Sequence, residues 1–286
     1  MTVIKAEVIL DSLHPDSKKR LTTMLLTYPR FIHSELMTHR VFSRNASSSR
    51  AIPILKMIQK IIKIDKMALP DHWGLNQPGM QSDAYLTGWR ASAASLVWIS
   101  VGYVAIAGSY ILSKLGVHKQ WANRITEPWQ NITVLVSSTE WDNFFELRDH
   151  DDAQPEFQQL AKEIKRVMGI SQPYQVEIGE WHLPYVTVED VKHIRNLKKA
   201  DPQVNVSDLL RRISTARCAR TSYLTVEGKK PTLEQDLKLF ERLVGSHPKH
   251  MSPAEHQAQA ITTKIAELPQ NRSNLTGGWL QFRRIL

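Results

Sequence analysis

Thr38-His39-Arg40-Val41-Phe42-Ser43-Arg44-Asn45-Ala46-Ser47-Ser48-Ser49-Arg50 is the stretch on which the reading of this chain turns. Thirteen residues hold three arginines, a histidine, an asparagine and four serines. Guanidinium forks and serine hydroxyls are the groups that hold phosphate, by charge and by paired hydrogen bonds. No other part of the chain has that density of anion-binding groups. The stretch follows a segment that Pro29 opens as a helix, with Phe31, Ile32, Leu36 and Met37 as its apolar stripe.

Outward from that point, residues 3–10 and Leu21 to Leu26 read as strands. Residues 53–67 read as a short amphipathic helix, and 68–84 as a turn-rich ordered loop. Helices are expected at about 84–116, 118–126, 137–148 and 153–168, and again at 188–199, 205–220 and 231–245. Residues 170–187 read as irregular or short-stranded. The tail after Glu255 reads as a strand, a Gly-Gly turn and a closing helix with Trp279 and Phe282. The expectation is one α+β domain over residues 1–286, an antiparallel sheet with long helices, with insertions at about 53–90 and 170–212.

The chain has 286 residues, a net charge of +9 and 42% hydrophobic residues. That composition fits a folded protein with anionic partners, among them nucleotides, folate polyglutamates and nucleic acid. Cys218 is the one cysteine, which excludes an internal disulfide and a cysteine-built metal site. The N-terminus lacks an apolar signal core. Ala91 to Leu112 carries no formal charge and is long enough to cross a bilayer, but its serines, glycines and alanines suit a buried or interface helix better. No Gly-x-x-x-x-Gly-Lys and no His-Glu-x-x-His occurs, so neither ATP hydrolysis nor a metal site is expected.

The thirteen-residue stretch resembles the signature of flavin-dependent thymidylate synthases. His39, Arg40, Ser43, Asn45, Ser48 and Arg50 fall on its offsets, while Thr38 replaces its first arginine and Ala46 its glutamate. Three further segments are similar to that family. They are Trp141 to Arg148 with Ala153-Gln154-Pro155-Glu156, then Ala219-Arg220-Thr221-Ser222-Tyr223, and His250 to His256. The last two precede the arginine-rich motif in the family and follow it here, so the chain resembles a circularly permuted relative. Similar permuted proteins are known chiefly from phages, and the cytoplasm of the host cell is the expected location.

The resemblance implies a one-carbon transfer to C5 of a deoxypyrimidine monophosphate. The expected reaction is dUMP to dTMP, with FAD as cofactor, and NADPH and methylenetetrahydrofolate as cosubstrates. It implies Arg50, Arg124 and Ser48 on the nucleotide phosphate and Arg148 on the pyrimidine. His39, Arg40, Ser43, Asn45, Asn143, Ser222 and Ser252 are implied as flavin contacts. It further implies a homotetramer with sites shared between subunits. Each residue has an ordinary alternative: Arg50 and Arg124 as caps or ion pairs, Arg148 paired with Asp152 one turn on, Ser252 as a helix start. Arg217 and Arg220 flank Cys218, so a cysteine nucleophile is the lesser alternative, and a buried small hydrophobe the greater.

The departures bear on the base. Glu35 stands where the family has a glutamine near the pyrimidine. Glutamine donates and accepts, whereas an ionised carboxylate only accepts, which suits the exocyclic amino group of cytosine. Transfer to dCMP, with a methyl or a hydroxymethyl product, is therefore the alternative. Ser137 and Thr139 replace a family asparagine and arginine. A second class, a basic nucleic-acid-binding protein, fits the charge and the eight tryptophans, but the basic residues are scattered and no nucleic-acid module occurs.

Overall fold

A computed structural model describes residues 3–79, 82, 84–221 and 229–286. The elements in chain order are β1 (Lys5–Leu13), β2 (Arg20–Pro29), α1 (His33–Thr38), β3 (Ser43–Ala46), α2 (Ile54–Ile61), α3 (Gly88–Lys114) and α4 (Lys119–Ala122). They continue with β4 (Asn131–Ser138), α5 (Asp142–Arg148), α6 (Pro155–Ile170), β5 (Tyr174–Gln175), β6 (Trp181–His182), α7 (Val188–Ala200) and α8 (Val206–Ala219). The last are α9 (Leu233–Phe240), β7 (Ala258–Ala260), α10 (Thr263–Ala266) and β8 (Trp279–Gln281).

The larger sheet has the order β3-β4-β2-β1-β5, antiparallel except where β1 meets β5. The smaller one is β6-β7-β8, antiparallel throughout. The α+β expectation therefore stands. The clearest revision is β4, whose end at Ser137 and Ser138 falls where the sequence pattern predicts a helix. Asn131 to Ser138 is buried on both faces over most of its length, so it lacks the apolar–polar alternation by which a strand shows itself in sequence. The helix begins only at Asp142, after Trp141. The segment after Pro29 is likewise split, a turn of 3-10 helix over Arg30–Ile32 and then α1.

The main core lies between one face of the larger sheet and α6. Pro155 opens α6, at the position where a missing N–H costs nothing. Its Phe157, Leu160, Ala161, Ile164 and Val167 recur at three- and four-residue spacing and are buried. They meet Met24, Leu26 and Tyr28 of β2 and Ile132, Val134 and Val136 of β4. The other sheet face is polar at one end. There Ser12 Oγ, His182, Thr23 Oγ1, Ser137 Oγ and His256 form a buried hydrogen-bonded chain with links of 2.6–2.8 Å. Burial holds His182 and His256 neutral, each pushed down to about 3.

α3 behaves differently. Only Gly102, Ile106 and Ser109 of its 27 residues are buried. Gly102 is required by a close approach, since a Cβ there would sit 2.9 Å from the Trp129 ring. Leu96, Val97, Val104 and Ile111 are all more than half exposed. The expected buried helix is thus not buried in one chain. Among the described residues it is also the one helix long and apolar enough to cross a membrane, by length and composition only.

Candidate nucleotide-binding site

The arginine-rich stretch begins at the end of α1 and runs into β3, an edge strand held by β4 through Ser43 opposite Ser137 and Asn45 opposite Leu135. Period-2 alternation sends its side chains two ways. Arg44 turns back to α1 and donates to the Leu36 carbonyl at 3.0 Å. Ser43 and Asn45 face the C-terminal elements.

α5 brings Arg148 onto the end of α1. Its Nε donates to His39 Nε2 at 3.0 Å, and its Nη2 approaches Thr38 Oγ1 at 3.4 Å. The guanidinium lies 4.7 Å over the Phe157 ring. An arginine only donates, so His39 must accept at Nε2 and carry its proton on Nδ1. His39 is buried against Phe42 and Phe144. Desolvation, then the charges of Arg148 and Arg44, hold its pKa down to about 4. Arg148 therefore rests on neutral groups, and Asp152 lies in the turn beyond α5, which ends at Arg148.

Glu35 completes this locus from α1. It is the carboxylate whose field reaches Arg148, raising a guanidinium pKa that desolvation lowers more. The Thr38 hydroxyl donates to the Glu35 carbonyl at 2.7 Å. Glu35 Oε2 is buried with no hydrogen-bond partner among the described residues. A sheltered carboxylate oxygen without a donor is costly. Arg148 and Glu35 thus set a fixed donor beside an acceptor that lacks a partner among the described residues.

A second locus lies at the other end of the stretch. Asn123 Nδ2 donates to the carbonyls of Ser49 and Ile52, at 2.8 and 2.9 Å. Ser49 Oγ donates to Glu127 Oε1 at 2.8 Å. These bonds join the turn that carries Ser48 and Arg50 to the turn that carries Arg124. Arg124 is half exposed and only 3.8 Å from Glu127, Arg50 is exposed, and Ser48 is exposed with its Oγ accepting from the Arg50 N–H at 3.3 Å. Arg50 and Arg124, from distant sequence, are thus both exposed on turns that these bonds join.

The described residues implied for flavin are scattered rather than gathered into one cradle. Ser43 is fully buried, and its hydroxyl accepts from Asn274 Nδ2 at 2.9 Å and Gln281 Nε2 at 3.1 Å. Asn45 Nδ2 donates to the Cys218 carbonyl at 2.6 Å. His39 serves Arg148. Arg40, Asn143 and Ser252 are exposed, and Ser222 lies outside the described residues. Cys218 is fully buried, and burial pushes its thiol far up, so it is withdrawn from nucleophilic work.

Sequence reasoning misses two parts of this region. Thr38 looks like a loss of charge, yet its hydroxyl ties Glu35 to Arg148. Gln281 and Asn274 pass for ordinary tail residues, although they supply the donors that seat Ser43; nothing in their local pattern signals a partner 231 residues away.

Two crystal structures of a UMP/dUMP methylase PolB from Streptomyces cacaoi are similar to this chain. One, bound with 5-Br dUMP, is 18% identical with a TM-score of 0.42 and covers 52% of this chain and 67% of that one. The other, bound with 5-Br UMP, is 17% identical with a TM-score of 0.47 and covers 59% of this chain and 90% of that one. No family model matches the chain, and no curated protein does.

Proposed function

We propose that this chain binds a deoxypyrimidine monophosphate and transfers a one-carbon unit to its C5, in the first instance dUMP to dTMP. The observation that carries the reading is Arg148, held by neutral His39 and Thr38 beside the unfilled Glu35 acceptor. When C5 of a pyrimidine acts as nucleophile, negative charge gathers on the ring carbonyl oxygens. A guanidinium already fixed in place stabilises that charge without reorganising. Glu35 accepts an N–H of the base. Arg50 and Arg124, joined through the Ser49–Asn123 bonds, hold the 5′-phosphate, with Ser48 beside them.

FAD, NADPH and methylenetetrahydrofolate belong to this proposal through the sequence resemblance, as do the permuted segment order and a cytoplasmic location in a phage-infected host. Of the flavin set, Arg40, Asn143 and Ser252 are the described side chains left facing solvent. A homotetramer is proposed on the same ground, with α3 as the contact surface. Val104→Lys on α3 is expected to reduce the sedimentation mass while the unfolding free energy of the single chain changes by no more than about 0.5 kcal/mol, as for ordinary surface substitutions.

Glu35 favours a second reading, the same transfer to dCMP, because a carboxylate accepts from an exocyclic amino group and a carbonyl offers it nothing. The test is tritium release from C5-tritiated dUMP and dCMP with FAD, NADPH and methylenetetrahydrofolate supplied. Any substitution at C5 must expel that hydrogen. Release from either nucleotide that Arg148→Lys abolishes supports the proposal. Release from neither nucleotide defeats it. FAD retention through gel filtration is scored separately.

A further inference from the structure

A cavity of about 490 Å³ opens between α2 and the ends of β2 and β4, and neither Arg148 and Glu35 nor Arg50 and Arg124 line it. Its charged lining is all of one sign, Arg30, Lys56, Lys60 and Lys66, with no carboxylate among the lining residues. The acid behind the wall, Glu127, is taken by Arg30 at 3.0 Å. The lysines make up the rest of the positive lining. Lys56 and Lys60 are four residues apart, so one face of α2 presents both. Low-dielectric walls lined by one sign of charge concentrate the opposite ion.

The wall opposite the lysines is hydroxylic. Thr27 and Thr133 face each other across β2 and β4 at 3.3 Å. Ser47 Oγ accepts from the Thr133 N–H at 3.2 Å, which leaves its own hydrogen to donate. Met57 and Ile61, both buried, give the cavity an apolar side. Lysine ammonium groups and hydroxyl donors suit oxyanions, while the apolar side suits an organic body. The volume is in the range of small-molecule sites, about 300–1,000 Å³.

We infer that this cavity is a second anion site, taking a phosphate ester with an organic body, a nucleoside polyphosphate in class. It does not depend on the C5 chemistry or on the base-reading locus. The α2 segment supplies Lys56 and Lys60, while Ser47 and Ser49 of the arginine-rich stretch line another part of the cavity.

The test is calorimetric titration of the full chain with dUTP, inorganic pyrophosphate and triglutamate, at low and at physiological salt. The variants are Lys56→Ala/Lys60→Ala, both at exposed positions, with folding checked by circular dichroism, and Arg148→Lys. The expected result is dUTP binding that weakens tenfold or more in the double lysine variant and with added salt, and that survives Arg148→Lys. Weaker binding of pyrophosphate than of dUTP confirms the organic body. Three results overturn the inference: dUTP affinity unchanged in the double lysine variant, no dUTP binding to the parent chain at millimolar concentration, or triglutamate binding more tightly than dUTP. Failure of tritium release at C5 leaves this titration unaffected, so the two readings fall separately.

Discussion

Arg148 and Arg217 are both helix arginines drawn in from solvent, and they are held in opposite ways. Arg217 of α8 donates to Asp236 at 2.8 Å and to both oxygens of Asp190, at 2.5 and 2.8 Å, with the Tyr185 carbonyl at 2.7 Å. Arg220 joins Asp236 as well. Asp190 also closes the capping box of α7 with Thr187, so one carboxylate starts a helix and fixes an arginine. Burial lowers the Arg217 pKa, but the two carboxylates raise it more, and the net shift is upward. Arg148 bonds to no carboxylate among the described residues. Its partners are an imidazole, a hydroxyl and a ring face, and desolvation holds its pKa down. A positive group surrounded by matched charges stabilises a fold. A positive group resting on neutral partners keeps its charge for something that arrives.

The largest expected effect falls on the paired cluster. Asp236→Ala leaves two arginines in the interior without their shared carboxylate, at a cost of about 3–5 kcal/mol for a broken buried pair. Denaturant unfolding measures it. The same experiment on Arg148→Lys is expected to show a change of no more than about 1 kcal/mol, the range of a partly exposed charge. A larger loss there removes the contrast.

Catalysis reverses the order. Arg148→Lys keeps the charge and loses the fork that binds His39 and Thr38 together. Tritium release is expected to fall by about 10²–10³-fold, the usual cost of one stabilising donor. Arg217 is too far committed to its carboxylates to act on a ligand.

Acid separates the two loci in sequence. The His39 pKa in the folded chain, about 4, lies below its ordinary 6.5. Between these values the unfolded chain binds the extra proton, so stability falls as pH drops from about 6.5 toward 4. Buried His182 and His256 act in the same direction down to about 3. Asp190 is opposite in kind: burial raises its pKa, hydrogen bonds from Arg217 and the Thr187 backbone lower it more, and the result lies below its ordinary 3.8. Its contribution is present above 3.8 and is lost only as pH falls through that lower value. NMR titration of His39 is expected to show protonation near pH 4, at which the Arg148–His39 hydrogen bond opens while the Arg217–Asp190 pair stays closed. Simultaneous opening of both sinks the distinction.

The smallest expected effect is on choice of base. Glu35→Gln restores a donor beside Arg148 and is expected to shift the dUMP-to-dCMP ratio of tritium release about tenfold toward dUMP, roughly one hydrogen bond's worth. An unchanged ratio places Glu35 outside base reading.

Arg148 is singled out in the sequence because a Leu-Arg pair at the end of an aromatic helix resembles a known segment, and the structure sets it against His39 and Thr38. Arg50 and Arg124 are singled out by the same resemblance, and the Asn123–Ser49 bond that joins their turns is not, since nothing local marks it. Arg217 shows in the sequence only as a neighbour of Cys218. Its partners sit 19 and 27 residues away on other helices, beyond the reach of periodicity. β4 is hidden by burial on both faces, and the Lys56–Lys60 face by an amphipathic pattern that reads as an ordinary solvated helix.

The seat of Ser43 sets a clock on synthesis. β1 and β2 can pair as soon as Pro29 is free of the ribosome, but Ser43 waits for Asn274 and Gln281, 231 and 238 residues downstream. At about 5–20 residues per second that delay is roughly ten seconds or more. During it β3 is an edge strand with a bare polar face, the part of the nascent chain open to mispairing. The chain emerges with its arginine-rich turn early and the lock on its neighbouring strand late.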